Sequence, residues 1–253
     1  MPIYLLATLD TKGPEAAFLH ERLVELGVAV ELVDTSCAGQ GGDRGQAVAK
    51  AAAEATRIVK EAFAAGKVEG VLALGGSAGT TIGTAAMRAL PIGVPKVMVS
   101  TLASGQVSQW VGDKDILMLN SVLDIAGLNR LSRKILGEAA AAMAGMVKFR
   151  NPQSQNLNPQ SDRPVIAATM FGVTTPCVQH ARKILEDAGY EVLVFHATGN
   201  GGQAMESLIR DGLIAGVLDI TTTELADELV GGVLSAGPTR LTAAAEMGIP
   251  QVV

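Results

Sequence analysis

Aromatic residues are scarce in this chain: Phe, Tyr and Trp make up 3% of its 253 residues, and there is a single Trp. This scarcity argues against sites that stack nucleic-acid bases or sugar rings on aromatic side chains. Positive charge is not in excess either, because 20 Lys and Arg residues stand against 25 Asp and Glu, for a net charge of −5. A dedicated nucleic-acid binder presents a basic face, so we expect no nucleic-acid partner.

Cysteine and long apolar runs are also lacking. The two cysteines, Cys37 and Cys177, lie far apart without the CxxC spacing of zinc sites, and are expected to be reduced, buried thiols. No apolar run reaches the roughly 20 residues of a membrane span, and the chain starts with a strand-like segment rather than a basic leader. We therefore expect a cytoplasmic protein with no membrane contact.

Apolar residues are abundant, at 48% against 18% charged, so the chain can bury a sizeable core. Short apolar runs such as residues 3–7 predict buried parallel strands. Each is followed by a segment with apolar residues at helical spacing. The helices predicted in the first half cover residues 14–26, 46–65, 81–90 and about 121–146.

The second half of the chain repeats the first. Pro14 precedes Gly27 by the same interval that separates Pro176 from Gly189, and the strand ends at Asp34 and His196 and three glycine-containing segments match in the same order. Strand–helix–strand units cross over right-handed, so the repeat predicts an α/β protein of two tandem, doubly wound Rossmann-like units with mainly parallel sheets.

The boundaries of the two units follow from a polar segment with two prolines. We expect a nucleotide-binding unit at 1–150, a linker at 151–163 and a second unit at 164–253. The second unit stops within its fourth strand, so it is expected to be incomplete, in a chain shortened at its C-terminus. Its open sheet edge favours a homo-oligomer or association with the missing C-terminal segment.

Ligands of open α/β sheets bind beyond the carboxyl ends of the strands. Two strand-end loops of the first unit combine glycines with hydroxyl or charged residues before a helix, where free N–H groups favour phosphate. An ordinary turn, with Asp10 or Thr11 as helix cap, is the alternative for the first loop. The candidate nucleotide-binding residues are Asp10, Thr11, Lys12, Gly13, Gly75, Gly76, Ser77, Gly79, Thr80 and Thr81.

A third candidate position is Asp34, with the glycine-rich loop 39–43 that follows it. Asp34 lies about twenty residues beyond the first loop, where dinucleotide-binding folds carry the carboxylate that binds ribose. The first turn lacks the glycines of that motif. Ribose binding and a capping role for Asp34 therefore both stay open.

The second unit offers a histidine and a set of threonines and glycines at equivalent strand ends. His196 is the candidate general acid–base, although a hydrogen-bonded supporting role is an alternative. Thr221 and Glu224 also have the spacing of a helix capping box. The candidate binding residues of this unit are Thr174, Thr175, Gly201, Gly202, Thr221, Thr222, Thr223 and Glu224.

Metal-ligand spacing is absent from the sequence, so a resident metal cluster is not predicted. Magnesium is expected to arrive with nucleotide phosphates, held by one or two carboxylates and water. The sequence does not choose among the four available acids, which are Asp10, Asp34, Asp43 and Glu224.

Four segments together resemble one family: LATLDTKG at 6–13, GGSAGT at 75–80, HATGNGGQAME at 196–206 and TTTELAD at 221–227. They are similar to the uncharacterised ATP-binding family named after a plant tobamovirus-resistance protein, the Tm-1-like family. The resemblance covers the whole chain and implies two Rossmann-like domains with ATP at the strand-end loops. Members of that family are longer than this chain.

The leading hypothesis is a nucleotide-binding protein that holds ATP and Mg²⁺ by the loops at 10–13 and 75–80. Lys12 would neutralise charge, and Ser77 and Thr80 would donate hydrogen bonds. One alternative is an enzyme acting on a small phosphorylated or carboxylated metabolite in an inter-domain cleft, through His196 and Thr222. Another is a non-catalytic module that senses a ligand or binds a partner.

Overall fold

The computed structural model describes residues 1–37, 43–150 and 163–253. The chain divides into two compact units, Met1–Asn158 and Pro159–Val253. Nearly all of the expected linker at 151–163 and of the loop at 39–43 lies outside the described residues. Each unit contains one sheet in which every described strand pair is parallel. The predicted class, α/β with Rossmann-like units, is therefore confirmed.

The sheet of the first unit has five strands in the order β2-β1-β3-β4-β5. The chain passes from β1 to β2 on one side and then returns across β1 to β3 on the other. In chain order the elements are β1 (Ile3–Ala7), α1 (Leu9–Glu25), β2 (Val30–Asp34), α2 (Arg44–Ala64), β3 (Gly70–Gly75), α3 (Ser77–Arg88), β4 (Lys96–Ser100), α4 (Ser108–Val111), β5 (Leu117–Asn120) and α5 (Arg130–Phe149).

Helices cover both faces of this sheet, which explains why β3 and β4 are buried along their whole length. On one face, α1 and α5 pack through Leu23 and Met143, both fully buried. On the other face, α2 and α3 pack through Val59 and Met87. The two cores fix the strands, and the loops at the carboxyl edge of the sheet are held from both sides.

The sheet of the second unit is smaller, with four strands in the order β7-β6-β8-β9. This order matches that of the first four strands of the first unit, as the internal repeat leads one to expect. Its elements are β6 (Val165–Met170), a 3-10 turn (Gly172–Thr174), α6 (Thr175–Asp187), β7 (Glu191–His196), α7 (Asn200–Arg210), β8 (Gly216–Leu218), α8 (Thr223–Val230), α9 (Ala243–Met247) and β9 (Gln251–Val252).

Helix α1 begins at Leu9, five residues before the predicted start at Pro14. Its first N–H groups donate to the end of β2 and to the loop that follows: Leu9 N donates to Asp34 Oδ1 at 3.1 Å and Asp10 N to Ser36 Oγ at 3.0 Å. Pro14 follows a kink at Lys12, whose φ and ψ of −126° and 19° are not helical. The prediction was wrong because these acceptors are distant in sequence.

Helix α3 begins at Ser77, four residues before the predicted start at Thr81. Glycine disfavours helix interiors, so the sequence at 75–80 is typical of a loop. The glycines serve close packing instead. A Cβ on Gly79 would lie 2.9 Å from Leu74 O, and one on Gly75 would lie 2.8 Å from the Gly79 Cα.

Helix α5 begins at Arg130 rather than near Ser121. Val122 and Gly127 have φ values of 62° and 90°, which a right-handed helix excludes. Asn129 then caps α5, accepting the N–H of Ser132 at 2.9 Å, and Ser132 Oγ accepts the N–H of Asn129 in return. Residues 121–129 are therefore an irregular segment between β5 and α5.

Both cysteines are free, as expected. The expected burial is wrong for Cys177, which is exposed, whereas Cys37 is partly buried. In the part of the chain that the structure describes, no helix is both long and apolar enough to cross a membrane.

Candidate functional site

The loops after β1 and β3 leave neighbouring strands at the point where the chain changes direction across the sheet. Crevices of this kind are where open α/β sheets bind ligands. A cavity of about 530 Å³ lies there. It is lined by Thr8, Asp10, Thr11, Lys12, Cys37, Arg44, Ala47, Val48, Gly76, Ser77, Ala78 and Gly79.

The first turn of α3 forms one wall of this cavity. The first intrahelical bond runs from Thr80 N to Gly76 O at 2.8 Å, so the N–H groups of residues 77–79 precede the helical ladder. Among the residues that the structure describes, no side chain caps this helix at Gly76. The three N–H groups and the positive end of the helix dipole are thus available to an anion in the cavity.

Three charged side chains line the cavity: Lys12, Arg44 and Asp10. Arg44, the first residue of α2, is exposed. The Lys12 ammonium donates a hydrogen bond to Ile125 O. Burial and the Asp10 carboxylate raise the pKa of the Cys37 thiol, against the opposing effect of Arg44. The cavity therefore combines a net positive charge with one carboxylate and a neutral thiol.

The threonines predicted to donate to a ligand are engaged elsewhere. Thr80 is fully buried, where its hydroxyl donates to Gly76 O at 2.8 Å and shares a hydrogen bond with Ser100 at 2.7 Å. Thr81 Oγ1 donates to Ser77 O at 2.9 Å. Of the hydroxyls predicted in this loop, that of Ser77 lines the cavity. Gly13 and Gly75 do not line it.

Asp34 lies outside this cavity and lines a neighbouring one of about 390 Å³. Its Oδ1 accepts hydrogen bonds from Leu9 N, Ser36 N and Ser36 Oγ at 3.1, 2.9 and 2.5 Å. Burial alone would raise the pKa of Asp34, but these hydrogen bonds outweigh it and lower the pKa. Asp34 thus takes the capping role, and ribose binding stays a prediction.

In the second unit, a network of buried charges lies at the carboxyl edge of the sheet. Arg240 donates to Asp219 through both terminal nitrogens, at 2.6 and 2.7 Å, and to Glu224 through Nε at 2.7 Å. Glu206 lies 3.4 Å from the same guanidinium. Burial would lower the pKa of Arg240, but the hydrogen bonds and charges of Asp219 and Glu224 raise it.

Glu224 caps a neighbouring helix instead of forming the predicted capping box with Thr221. Its Oε1 accepts the N–H groups of Gly199 and Gly202, at 2.7 and 3.1 Å, at the start of α7. A Cβ on Gly201 would lie 1.9 Å from His196 O, and one on Gly202 would lie 2.2 Å from the Glu224 carboxylate. These two glycines therefore permit close packing around a carboxylate that the chain itself supplies.

The remaining candidates of the second unit are five threonines and His196. Thr174 and Thr221 share a hydroxyl–hydroxyl bond of 2.6 Å, whereas Thr175, Thr222 and Thr223 lie at helix starts without a side-chain cap. His196 ends β7, is exposed, and packs its ring 5.3 Å from that of Phe171. Its acid–base role stays a prediction.

Sequence reasoning missed Arg44, Cys37 and Thr8 as cavity residues. Arg44 left a signal, since a basic residue directly after a glycine-rich loop starts a helix. Thr8 and Cys37 left no such signal in the sequence. Their positions at the cavity depend on the β2-β1-β3 strand order, which places β1 between β2 and β3.

Two family models together match most of the chain. The N-terminal domain of the uncharacterised protein family UPF0261 matches residues 37–152, and its C-terminal domain matches residues 163–253. The chain belongs to the UPF0261 family. The resemblance to the Tm-1-like family is confirmed as well, because tomato Tm-1 proteins are among its relatives.

A UPF0261 protein of Clostridium tetani is 49% identical to this chain, over 99% of the chain and 67% of its own length. The ToMV susceptible protein tm-1(GCR26) of Solanum lycopersicum is 40% identical, over 99% of the chain and 38% of its own length. The chain thus spans about two thirds of the bacterial relative and less than half of the plant one.

Among solved structures, the ABC domain from Streptococcus pneumonia in complex with L-Trp covers 99% of this chain. The match spans 72% of the solved chain, at 11% sequence identity and a TM-score of 0.31.

The lowered pKa of Asp34 makes the stability of the first unit depend on pH. A depressed carboxylate stabilises the folded state above its unfolded pKa, near 3.8, and loses that effect as pH falls through the lower folded pKa. We expect Asp34→Asn to destabilise the first unit at pH 7 and the difference from wild type to shrink below about pH 4. Urea unfolding at pH 7, 5 and 3 measures this.

Asp43→Asn is the matched control, because Asp43 precedes α2 but its side chain caps no N–H group. An Asp34→Asn effect that is independent of pH would contradict the assignment of the three hydrogen bonds.

Removing the Arg240 guanidinium leaves Asp219 and Glu224 buried without their cation. We expect Arg240→Met to lower the free energy of unfolding of the second unit by about 3–5 kcal/mol. Arg57→Met is the control, since Arg57 pairs with Glu54 and Glu61 on the exposed face of α2 and should matter much less. Urea unfolding followed by circular dichroism measures both. Equal effects would contradict the buried network.

Proposed function

We propose that the first unit binds a nucleotide by its phosphates, with ATP and Mg²⁺ as the expected ligand, in the cavity between the ends of β1 and β3. The observation that carries the proposal is the start of α3, where the N–H groups of residues 77–79 border that cavity and have no side-chain cap within the described part of the chain. Helix starts of this kind bind phosphate in other α/β proteins.

Charge in the cavity supports a phosphate-bearing ligand. Arg44 provides an exposed guanidinium, which suits bidentate contact with phosphate oxygens. Lys12 adds a second cation, although its ammonium is bonded to Ile125 O. The cavity volume of about 530 Å³ is in the range of small-molecule sites.

The surroundings of the four candidate acids favour Asp10 as the proposed magnesium ligand. Asp34 and Glu224 each have a carboxylate oxygen that accepts hydrogen bonds from backbone N–H groups. Asp43 does not line the cavity. Asp10 does line it, and carboxylate oxygens are ligands that Mg²⁺ prefers. We therefore propose that Asp10 holds Mg²⁺ bound to the phosphates, directly or through water. Such an ion would neutralise phosphate charge next to that carboxylate.

The phosphate assignment is tested by placing an anion of the chain's own at the start of α3. Gly76→Asp provides a capping carboxylate for the free N–H groups, and its φ of −80° accepts a side chain. The variant should fold and should bind the Mg²⁺ complex of a non-hydrolysable ATP analogue about tenfold more weakly or worse. Calorimetric titration measures the affinity.

Gly76→Ala is the matched control, because it adds the same Cβ without the charge, and the nearest atom, Thr101 Oγ1, is 3.7 Å away. Its affinity should stay close to that of wild type. If Gly76→Asp bound the analogue as well as Gly76→Ala does, phosphate would not sit at the start of α3.

The role of Asp10 is tested by separating metal-bound from metal-free ligand. In wild type, the Asp10 carboxylate repels free polyphosphate and attracts its Mg²⁺ complex. Asp10→Asn should therefore weaken binding of the Mg²⁺ complex and strengthen binding of the metal-free analogue. Parallel titrations with Mg²⁺ and with EDTA measure the two affinities. A change of the same sign in both would rule out a metal-binding role.

A further inference from the structure

Helix α1 holds the irregular segment that follows β5. Two side chains one turn apart on α1 reach it: Lys12 donates to Ile125 O, and Glu15 Oε1 accepts the N–H of Gly127 at 2.5 Å. We call residues 121–129 the β5–α5 segment. Lys12 also lines the proposed nucleotide cavity, so one side chain touches both the cavity and the segment.

The Glu15 and Lys12 contacts differ in burial and in the charge of the groups that they join. Glu15 is fully buried, and its second carboxylate oxygen has no hydrogen-bond partner in the described residues. The Lys12 ammonium, in contrast, is bonded to a neutral carbonyl. A hydrogen bond to an ionised acceptor is roughly twice as strong as one to a neutral acceptor. A phosphate in the cavity is therefore the better partner for Lys12.

The β5–α5 segment is suited to move once Lys12 leaves. Residues 123–126 lie between two positions of positive φ, Val122 at 62° and Gly127 at 90°. That conformation is strained for the β-branched Val122, whose side chain is 66% exposed. Ile125 packs into the core, but without Lys12 its carbonyl needs another donor, which favours opening towards water.

From these contacts we infer that Lys12 is a ligand-operated latch: an anion in the cavity takes the Lys12 ammonium from Ile125 O and loosens the β5–α5 segment. The inference rests on the proposed function for the anion and on the contacts above for the latch. Glu15 keeps its bond to Gly127, so the movement pivots at Gly127. Ligand binding at the β1–β3 crevice thereby changes the β5–α5 segment, which packs against α1.

Amide hydrogen exchange of the whole chain tests the latch, with the Mg²⁺ complex of the non-hydrolysable ATP analogue as the probe. In wild type, the probe should slow exchange in residues 77–79 and speed it at Leu123 and Ala126, about tenfold, while the Gly127 amide, still bonded to Glu15, stays protected. The second change is opposite to the protection that bound ligands generally give. Lys12→Met without the probe should already exchange at the faster rate in the segment, and the probe should add nothing there.

Lys60→Met is the matched control, since Lys60 is an exposed lysine of α2, and it should exchange like wild type. Lys12→Arg keeps a cationic donor and should retain slow exchange, which covers the case in which Lys12→Met does not fold. If the probe binds but the segment exchanges no faster, the latch is overturned and the proposed function stands. If the probe does not bind, the proposed function fails, and the coupling fails with it.

Discussion

The close approach of α3 to the end of β3 is the constraint on which the candidate site depends. Gly75 and Gly79 allow backbone to pack on backbone there, and any Cβ at either position would lie within 3 Å of a neighbouring main-chain atom. This packing places the start of α3 directly at the sheet edge, one residue after the strand. The free N–H groups therefore border the crevice between β1 and β3. Thr80 and Ser100, buried beneath them, hold the turn rigid, so the donors are preorganised for a ligand.

The two units share a strand order, and the helix starts at their sheet edges differ in whether the chain itself supplies an acceptor. In the first unit, the start of α3 has no internal acceptor among the described residues. In the second, the start of α7 receives the Glu224 carboxylate, which Arg240 holds from its other side. A buried charge network is stable only when its members are paired, so the loop at Gly199 is a closed structural element. Helix α7 follows β7, the counterpart of β2, so the counterpart of α3 in the second unit is α8, whose start also has no side-chain cap among the described residues.

Much of the fold could be predicted from the sequence, because local residue patterns determine the type and order of its strands and helices. Buried apolar runs, the internal repeat and helix-ending glycines gave the α/β class and the alternation of elements. The starts of α1 and α3 could not be predicted, because they depend on contacts between distant residues: Asp34 with Leu9, and Gly79 with Leu74. The same limit applies to the site. Gly76, Ser77 and Asp10 were predictable from loop chemistry, whereas the burial of Thr80 and the contribution of Cys37 depend on strand order.

The balance of charge in the cavity constrains what it can hold. Arg44, Lys12 and the dipole of α3 attract an anion, but Asp10 in the same wall repels one. Under the proposed function, a ligand that brings its own cation would resolve this conflict, since Mg²⁺ would pair with Asp10 and the phosphates with the donors. Lys12 then has two competing acceptors, Ile125 O and phosphate, and the more strongly charged one prevails. Asp10, the proposed magnesium ligand, and Lys12, which links the cavity to the β5–α5 segment, both lie in the first turn of α1. Asp34 and Ser36 hold that turn in place.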